Sequence, residues 1–332
     1  MPRHHLVPRF YLRRFADDRQ NLVVIDRHPP HRSRMRPVKL MCAEEGYYAM
    51  PTETIAESHR DGHDPEIVEG LLSRIEHETA RALPRLLDGQ FPPTSEDRYA
   101  ITQFIAVQMT RTQRFREDTE ALMTLAAQQH IEMELTNNPE QIPRWLKSRG
   151  EAHDDAAVRA FRDRLEGEGF PKVKPSQPFA VQESLRMAMI DFHPRLFLRP
   201  WRMFHFDADC LVTSDNPVGT WSPQLPEEQP IVDGLNATMI VMPLNRRTAL
   251  ALMKNGADQA AMLPATSTRA KQINLAVMSE ASKWIFHHPG DRPLDSVDIP
   301  PRTAFVDEVV GVRAPGDGTV RELHRIVKRP VL

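Results

Sequence analysis

The sequence predicts an α+β fold: a helical middle region packed against a β-rich part built from the N-terminal strands and the second half of the chain. Three observations lead there. Apolar residues recur at helical spacing between about residues 64 and 194. Short β-branched runs bounded by turn residues lie on both sides of that region. The two kinds of element are segregated along the chain, whereas a parallel α/β sheet would alternate them. With 332 residues the chain can bury one large core, and it reads as a single domain over residues 1–332. Its segments are basic N-terminal strands and a loop (1–63), the helical region (64–194), a β-rich region with one helix (200–286), and a Pro-rich strap with a C-terminal hairpin (287–332).

Taken in order, residues 5–12 and 21–27 read as extended pieces. In the first, His5, Val7, Arg9 and Tyr11 would share a strand face, with Pro8 bending it. In the second, Leu22-Val-Val-Ile25 is closed by His28-Pro-Pro30. The stretch from His31 to Tyr48 is irregular and basic. A helix is expected from Asp64-Pro-Glu66, carried by Val68, Leu71, Leu72, Ile75, Leu83 and Leu86 and stopped by Asp88-Gly89. Thr94-Ser-Glu-Asp97 has the form of a capping box opening a second helix. Continued to Asn137 it would be about 65 Å long, so a break is expected near Thr110-Arg-Thr112. Shorter helices are expected at about 152–166 and at about 177–192, the latter closed before Pro194. Beyond Arg199-Pro200, Trp201–Phe206 with Cys210–Thr213 read as one hairpin and Thr238–Met242 with Thr248–Met253 as another. Thr266 should cap a helix through Ile273, Val277 and Trp284. Two β-like runs then flank the Ala314-Pro-Gly-Asp-Gly318 turn.

Composition removes several classes. Apolar runs such as Thr238-Met-Ile-Val-Met242 are strand-sized, far from the ~20 residues of a membrane span. The first ten residues are basic and aromatic, with no apolar core of an export signal. Two cysteines, Cys42 and Cys210, do not make a disulfide framework. A cytoplasmic protein with no membrane association is expected. Lys and Arg number 43 against 45 Asp and Glu, so the surface is not coated for nucleic acid as a whole. Charge is uneven locally: the first forty residues carry ten Arg or Lys against three Asp, and residues 41–100 carry thirteen acids against five Arg. That pairing suits either a phosphate-binding face or internal neutralisation. Phosphate-binding glycine loops, the nucleophile elbow, the His-Glu-x-x-His pair and Cys-x-x-Cys spacing are all absent. Glu57-Ser-His59 with His63-Asp64 resembles a metal cluster but includes Gly62 and reads better as a solvated turn.

Two clusters carry chemistry. His4-His5-Leu-Val-Pro8-Arg9-Phe-Tyr11 combines imidazole, phenol and fixed cations around a proline. Leu211-Val-Thr-Ser214-Asp215-Asn216-Pro217 runs an apolar strand into a carboxylate and an amide, where loops hold functional groups. Each also has a plain reading, as a basic arm and as turn chemistry. On the helices, Glu69 and Glu76 share a face with Glu66 nearby, and Gln108 and Arg111 are three apart, a spacing that also suits a buried structural network.

His5-Leu-Val-Pro8-Arg-Phe-Tyr11-Leu12, the Leu22–Asp26 run, Tyr47-Tyr48, Glu69 to Glu76, Gln108-Met-Thr-Arg111 and Thr213-Ser-Asp-Asn-Pro217 occur in an order that resembles the domain-of-unknown-function family 4238 over about residues 5–286. The resemblance implies a microbial cytoplasmic protein of about this length. It supplies positions and no reaction, and it favours His5 and Asp215 lining one site.

Three functional readings follow. In the first, a metal-assisted hydrolase acts on a phosphodiester such as nucleic acid. His5, Asp215 and Glu76 are its catalytic residues and metal ligands, a divalent cation is its cofactor, and Arg111 holds the developing charge. In the second, a non-catalytic sensor closes over a small anionic ligand held by Arg9, Tyr11 and Arg111 and oriented by Asn216, with Ser214 and Gln108 beside it. In the third, the motifs are structural parts of an interaction protein.

Overall fold

A computed structural model describes residues 3–45, 47, 67–138, 140–168, 176–223, 234–259, 262–295, 297–313 and 321–330. By internal contacts the chain divides into two compact units. One comprises Met1–Arg116, Ser176–Val306 and Ile326–Leu332, the other Glu117–Pro175 and Asp307–Arg325.

Strand β1 (Arg3–His5) pairs antiparallel with β4 (Ala43–Glu45). Residues 5–12 do not form the expected strand. Pro8, extended at φ −63°, stands before a short helix α1 (Arg9–Leu12), and its carbonyl accepts from the N–H groups of Tyr11 and Leu12. Proline lacks the donor a strand would need and is comfortable at a helix entrance. A 3₁₀ turn (Arg13–Phe15) completes the entry. Strand β2 (Asn21–Asp26) pairs antiparallel with β3 (Ser33–Pro37).

Helix α2 (Ile67–Leu87) buries Val68, Leu72, Ile75, Thr79, Leu83 and Leu86 along one stripe, and ends before Gly89, whose φ of +95° suits a residue without Cβ. Helix α3 (Ser95–Thr110) is capped by Thr94, which accepts from the Asp97 N–H at 3.1 Å. Ala100, Ile101, Phe104, Ile105, Ala106 and Val107 are all buried, so α3 is covered on nearly every side. The expected break occurs at Arg111–Thr112, where the Thr112 hydroxyl accepts from the Phe115 N–H at 3.1 Å and starts α4 (Gln113–Asn137).

In the second unit α5 (Gln141–Ser148), which the sequence reading missed, buries Ile142 and Leu146. Helix α6 (Asp155–Glu168) brings Phe161 to 5.1 Å from the Trp145 ring.

Helix α7 (Gln177–Arg186) widens into a π-helical turn (Met187–Phe192) and continues as α8 (His193–Phe197). The helical path therefore passes the expected stop before Pro194. The wide turn accommodates a residue with no N–H to give.

The remaining elements are β5 (Trp201–His205), β6 (Thr213–Ser214), β7 (Gly219–Trp221), β8 (Met239–Pro243), β9 (Thr248–Met253), β10 (Leu263–Pro264), α9 (Ser267–Glu280), β11 (Trp284–His287), β12 (Thr303–Arg313) and β13 (Arg321–Pro330). A five-stranded sheet runs β10-β5-β9-β8-β7, with only β10–β5 parallel, and a four-stranded antiparallel sheet runs β3-β2-β11-β6. Central strands β8 and β9 are buried nearly throughout, which explains their unbroken apolar composition. They form the expected hairpin. Trp201–Phe206 and Cys210–Thr213 do not form theirs. The N–H groups of Phe206 and Leu211 bond to the Arg247 and Arg246 carbonyls, and Thr213 joins the other sheet opposite Phe286. Residues 206–213 are thus a crossover between sheets.

Thr266 caps α9, accepting from the Arg269 N–H at 3.3 Å, but the helix ends at Glu280 and Trp284 opens a strand. Gly219 sits so close to α9 that an added Cβ would lie 2.6 Å from the Ala276 carbonyl carbon. The strands either side of the predicted 314–318 turn are present, while that turn, Tyr48 and the Glu57–Asp64 cluster lie outside the described residues. Among the described residues no helix is long and apolar enough to cross a membrane. Helices and predominantly antiparallel sheets in separate stretches give the α+β class the sequence predicted.

Candidate functional site

The two motifs meet through Tyr11. Placed by the Pro8 turn on α1, its side chain is fully buried against Phe15 and Phe104, ring centroids 5.5 and 6.4 Å away. Its hydroxyl donates to the Pro243 carbonyl at 2.7 Å and so accepts from Thr213 Oγ1 at 2.8 Å. One side chain thereby ties α1 to β6 and to the end of β8. Burial pushes the phenol far above its ordinary pKa, partly opposed by the Thr213 bond.

The Ser-Asp-Asn-Pro turn closes on itself and on the strand beside it. Ser214 Oγ donates to the Asn216 carbonyl at 2.6 Å and accepts from the Asn216 N–H at 3.1 Å. The Asp215 N–H donates to the Trp284 carbonyl at 3.1 Å. Its carboxylate accepts from the N–H of Ser282 at 2.9 Å and of Lys283 at 2.7 Å, one oxygen for each. Asp215 is therefore a clamp, fastening the β6 turn to the segment between α9 and β11. Only 7% exposed, its carboxyl is pushed by burial up to about 6, against the pull of those backbone donors.

On the helices Glu76 accepts from Arg111 Nη1 at 2.9 Å. With its amide oxygen turned toward the guanidinium, Gln108 accepts from Arg111 Nε at 3.0 Å and from Nη2. Arg111 is 2% exposed while Glu76 is 27% exposed, so the pair spans the boundary from core to solvent. Tyr47 braces the α3–α4 break. Its hydroxyl donates to the Arg111 carbonyl at 3.1 Å and Arg116 stacks over its ring at 3.4 Å. The Glu76–Gln108–Arg111 set is one network, as its spacing suggested.

His5 ends β1 opposite Ala43 and is half-buried. Arg9 is exposed on α1, facing away from the enclosed side that holds Tyr11. Asn216 is 5% exposed, and its Oδ1 meets no donor among the described residues. Among the described residues no group of three or more His, Cys, Asp or Glu is arranged to hold a metal ion.

Around the Asp215 clamp the structure adds residues that motif reading missed. Arg27, directly after β2, donates its backbone N–H to the Lys283 carbonyl at 2.8 Å, so it and Asp215 hold the two ends of one residue. Arg27 is 3% exposed, yet its Nε and Nη2 meet no acceptor among the described residues, and neither does the buried Ser282 hydroxyl. Arg114 donates to Thr303 Oγ1 at 3.2 Å, beside Arg302. Burial and the charges of Arg114 and Arg302 hold the Arg27 guanidinium below its usual pKa, with Asp215 acting in the opposite sense. The sequence signal was slight: a lone arginine at the end of a β-branched run.

Neither the curated proteins nor the solved structures yield a match to this chain. One family model matches it, a protein of unknown function (DUF4238), over residues 3–291, a span that holds the Pro8–Tyr11 entry, the Arg111 network and the Asp215 clamp. The chain belongs to the DUF4238 family.

Proposed function

We propose that the protein is a non-catalytic binding protein for a small oxyanion, with the motif residues serving as its scaffold. One observation carries this reading: Asp215, Tyr11 and Glu76, three of the motif groups suited to proton or metal work, are bonded into the fold, while the buried Arg27 fork faces no acceptor among the described residues. Both Asp215 oxygens accept backbone N–H groups, the Tyr11 hydroxyl joins two strands, and Glu76 is paired with Arg111. Arg27 is 3% exposed, and its Nε and Nη2 meet no acceptor among the described residues. Buried guanidiniums are costly unless an anion or a full set of acceptors answers them, and they grip oxyanions bidentately. The hydrolytic reading asks Asp215 and Glu76 to leave those partners for a metal.

The test is a thermal-denaturation screen with phosphate, sulfate, acetate and citrate at matched ionic strength. In parallel, DNA and RNA are incubated with the protein and Mg²⁺ or Mn²⁺. The expected result is a melting shift of a few degrees with one class of anion and intact nucleic acid. Cleavage that disappears in Asp215→Asn would restore the hydrolase.

A further inference from the structure

We propose that the Arg27 guanidinium, on a segment that the Asp215 clamp ties to those of Asn216 and Ser282, is the anion-binding locus of this protein and takes a phosphate group. This deepens the binding reading and rests on it.

The argument begins with how arginine is used elsewhere in the same chain. Arg85 on Asp97, Arg246 on Asp291, Arg247 on Asp209 and Arg186 on Glu183 all present the Nε–Nη2 edge to a carboxylate as a two-pronged fork. Arg27 has that same edge buried and facing no protein acceptor among the described residues. Its shape calls for two oxygens of one anion.

Two further buried groups lie within a residue of the Asp215 clamp. Asn216 Oδ1 is an acceptor with no donor, and Ser282 Oγ is a hydroxyl with no partner, among the described residues. The clamp joins their segments directly, since Asp215 accepts from the Ser282 N–H and from the N–H of Lys283, whose carbonyl takes the Arg27 N–H. Two guanidinium donors, a hydroxyl and a lone acceptor match a phosphate that still carries one proton. The oxygens take the Arg27 fork and the Ser282 hydroxyl, and a P–OH gives its proton to Asn216. Phosphate is favoured over carboxylate because the two oxygens of a carboxylate would be used up by the Arg27 fork, leaving no oxygen for the Ser282 hydroxyl and no proton for Asn216 Oδ1. With the fork enclosed, entry requires a small outward movement of a neighbouring segment.

The experiment titrates inorganic phosphate into the full-length protein by calorimetry at constant ionic strength, with acetate as the carboxylate arm, using wild type, Arg27→Met, Arg27→Lys and Ser282→Ala. Wild type should bind phosphate, Arg27→Met should weaken it by about 100-fold, and Arg27→Lys, which keeps charge and loses the fork, by about 10-fold. Ser282→Ala should cost about 5-fold. Wild-type binding that survives unchanged in both Arg27 variants would overturn this locus and leave the binding reading standing. Absence of phosphate and acetate binding in wild type would overturn both. Arg27-dependent binding of acetate as tight as phosphate would overturn the phosphate assignment. Arg27→Lys and Ser282→Ala decide the matter if Arg27→Met fails to fold.

Discussion

Replacing Tyr11 by Phe removes a single oxygen from a fully enclosed position and keeps the ring that packs on Phe15 and Phe104. That oxygen serves Thr213 and the Pro243 carbonyl, 202 and 232 positions away in sequence. After the substitution the Pro243 carbonyl loses a donor at 2.7 Å and the Thr213 hydroxyl loses an acceptor at 2.8 Å. An orphaned buried polar group costs about 1–3 kcal/mol, and a hydroxyl can rotate to recover part of that. The expected loss is therefore about 3 kcal/mol for Tyr11→Phe. Thr213→Val should cost about 1–2 kcal/mol, since the Tyr11–Pro243 bond survives. The double variant should fall short of the sum by about 1 kcal/mol, because the pair shares one bond. Urea unfolding followed by far-UV circular dichroism and tryptophan fluorescence gives these values if the slopes are unchanged. A Tyr11→Phe cost below about 0.5 kcal/mol, or strict additivity, would refute the reasoning that this bond joins the two motifs.

Other expectations concern the clamp, the network and one close approach. Asp215 has its carboxyl raised to about 6 in the folded chain, so its contribution to stability is fully present below its unfolded pKa near 4 and is lost as pH rises through 6. The loss is on the order of 3 kcal/mol. Asp215→Asn should flatten the stability profile between pH 4 and 6, and an unchanged profile would show that this carboxyl does not titrate there. Glu76→Ala removes the carboxylate that accepts from Arg111 Nη1 while Gln108 still holds the guanidinium, so the expected cost is about 2 kcal/mol, with Glu76→Gln near half of that. A Glu76→Gln cost near zero, by chemical denaturation, would mean the charge is unimportant. Gly219→Ala drives a methyl into the α9 backbone, where the nearest atom would be 2.6 Å away. It should cost about 3 kcal/mol, and a melting temperature within a degree of wild type would show that β7 and α9 can part.

Local elements were legible where local physics decides them. The α2 stripe, the Thr94 and Thr266 caps and the α3–α4 break all rest on side chains within four residues of one another. Residues 5–12 do not run on as a strand because Pro8 has no N–H to give to a ladder and opens α1 in its place. The Trp201–Thr213 hairpin failed because its partners are remote: Arg246 and Arg247 supply the carbonyls, and Phe286 the neighbouring strand. Site residues divided in the same way. Glu76, Gln108 and Arg111 were legible as a network from helical spacing, whereas Arg27, Ser282 and Lys283 lie in no motif and gain meaning only from what faces them.

By itself, the sequence determined the α+β class, the end of α2, the cap of α3, the α3–α4 break and the identity of the two motifs, because periodicity, caps and turn residues act over a few bonds. It also carried the likeness to DUF4238, which the family model bears out over residues 3–291. Only the tertiary structure decided that Tyr11 reaches Thr213, that both Asp215 oxygens are taken by backbone donors, and that Arg27 keeps a buried fork that meets no acceptor among the described residues. A polar side chain's role depends on which partners remain after the chain has closed around it, and those partners come from segments hundreds of residues apart, whose meeting no local pattern encodes.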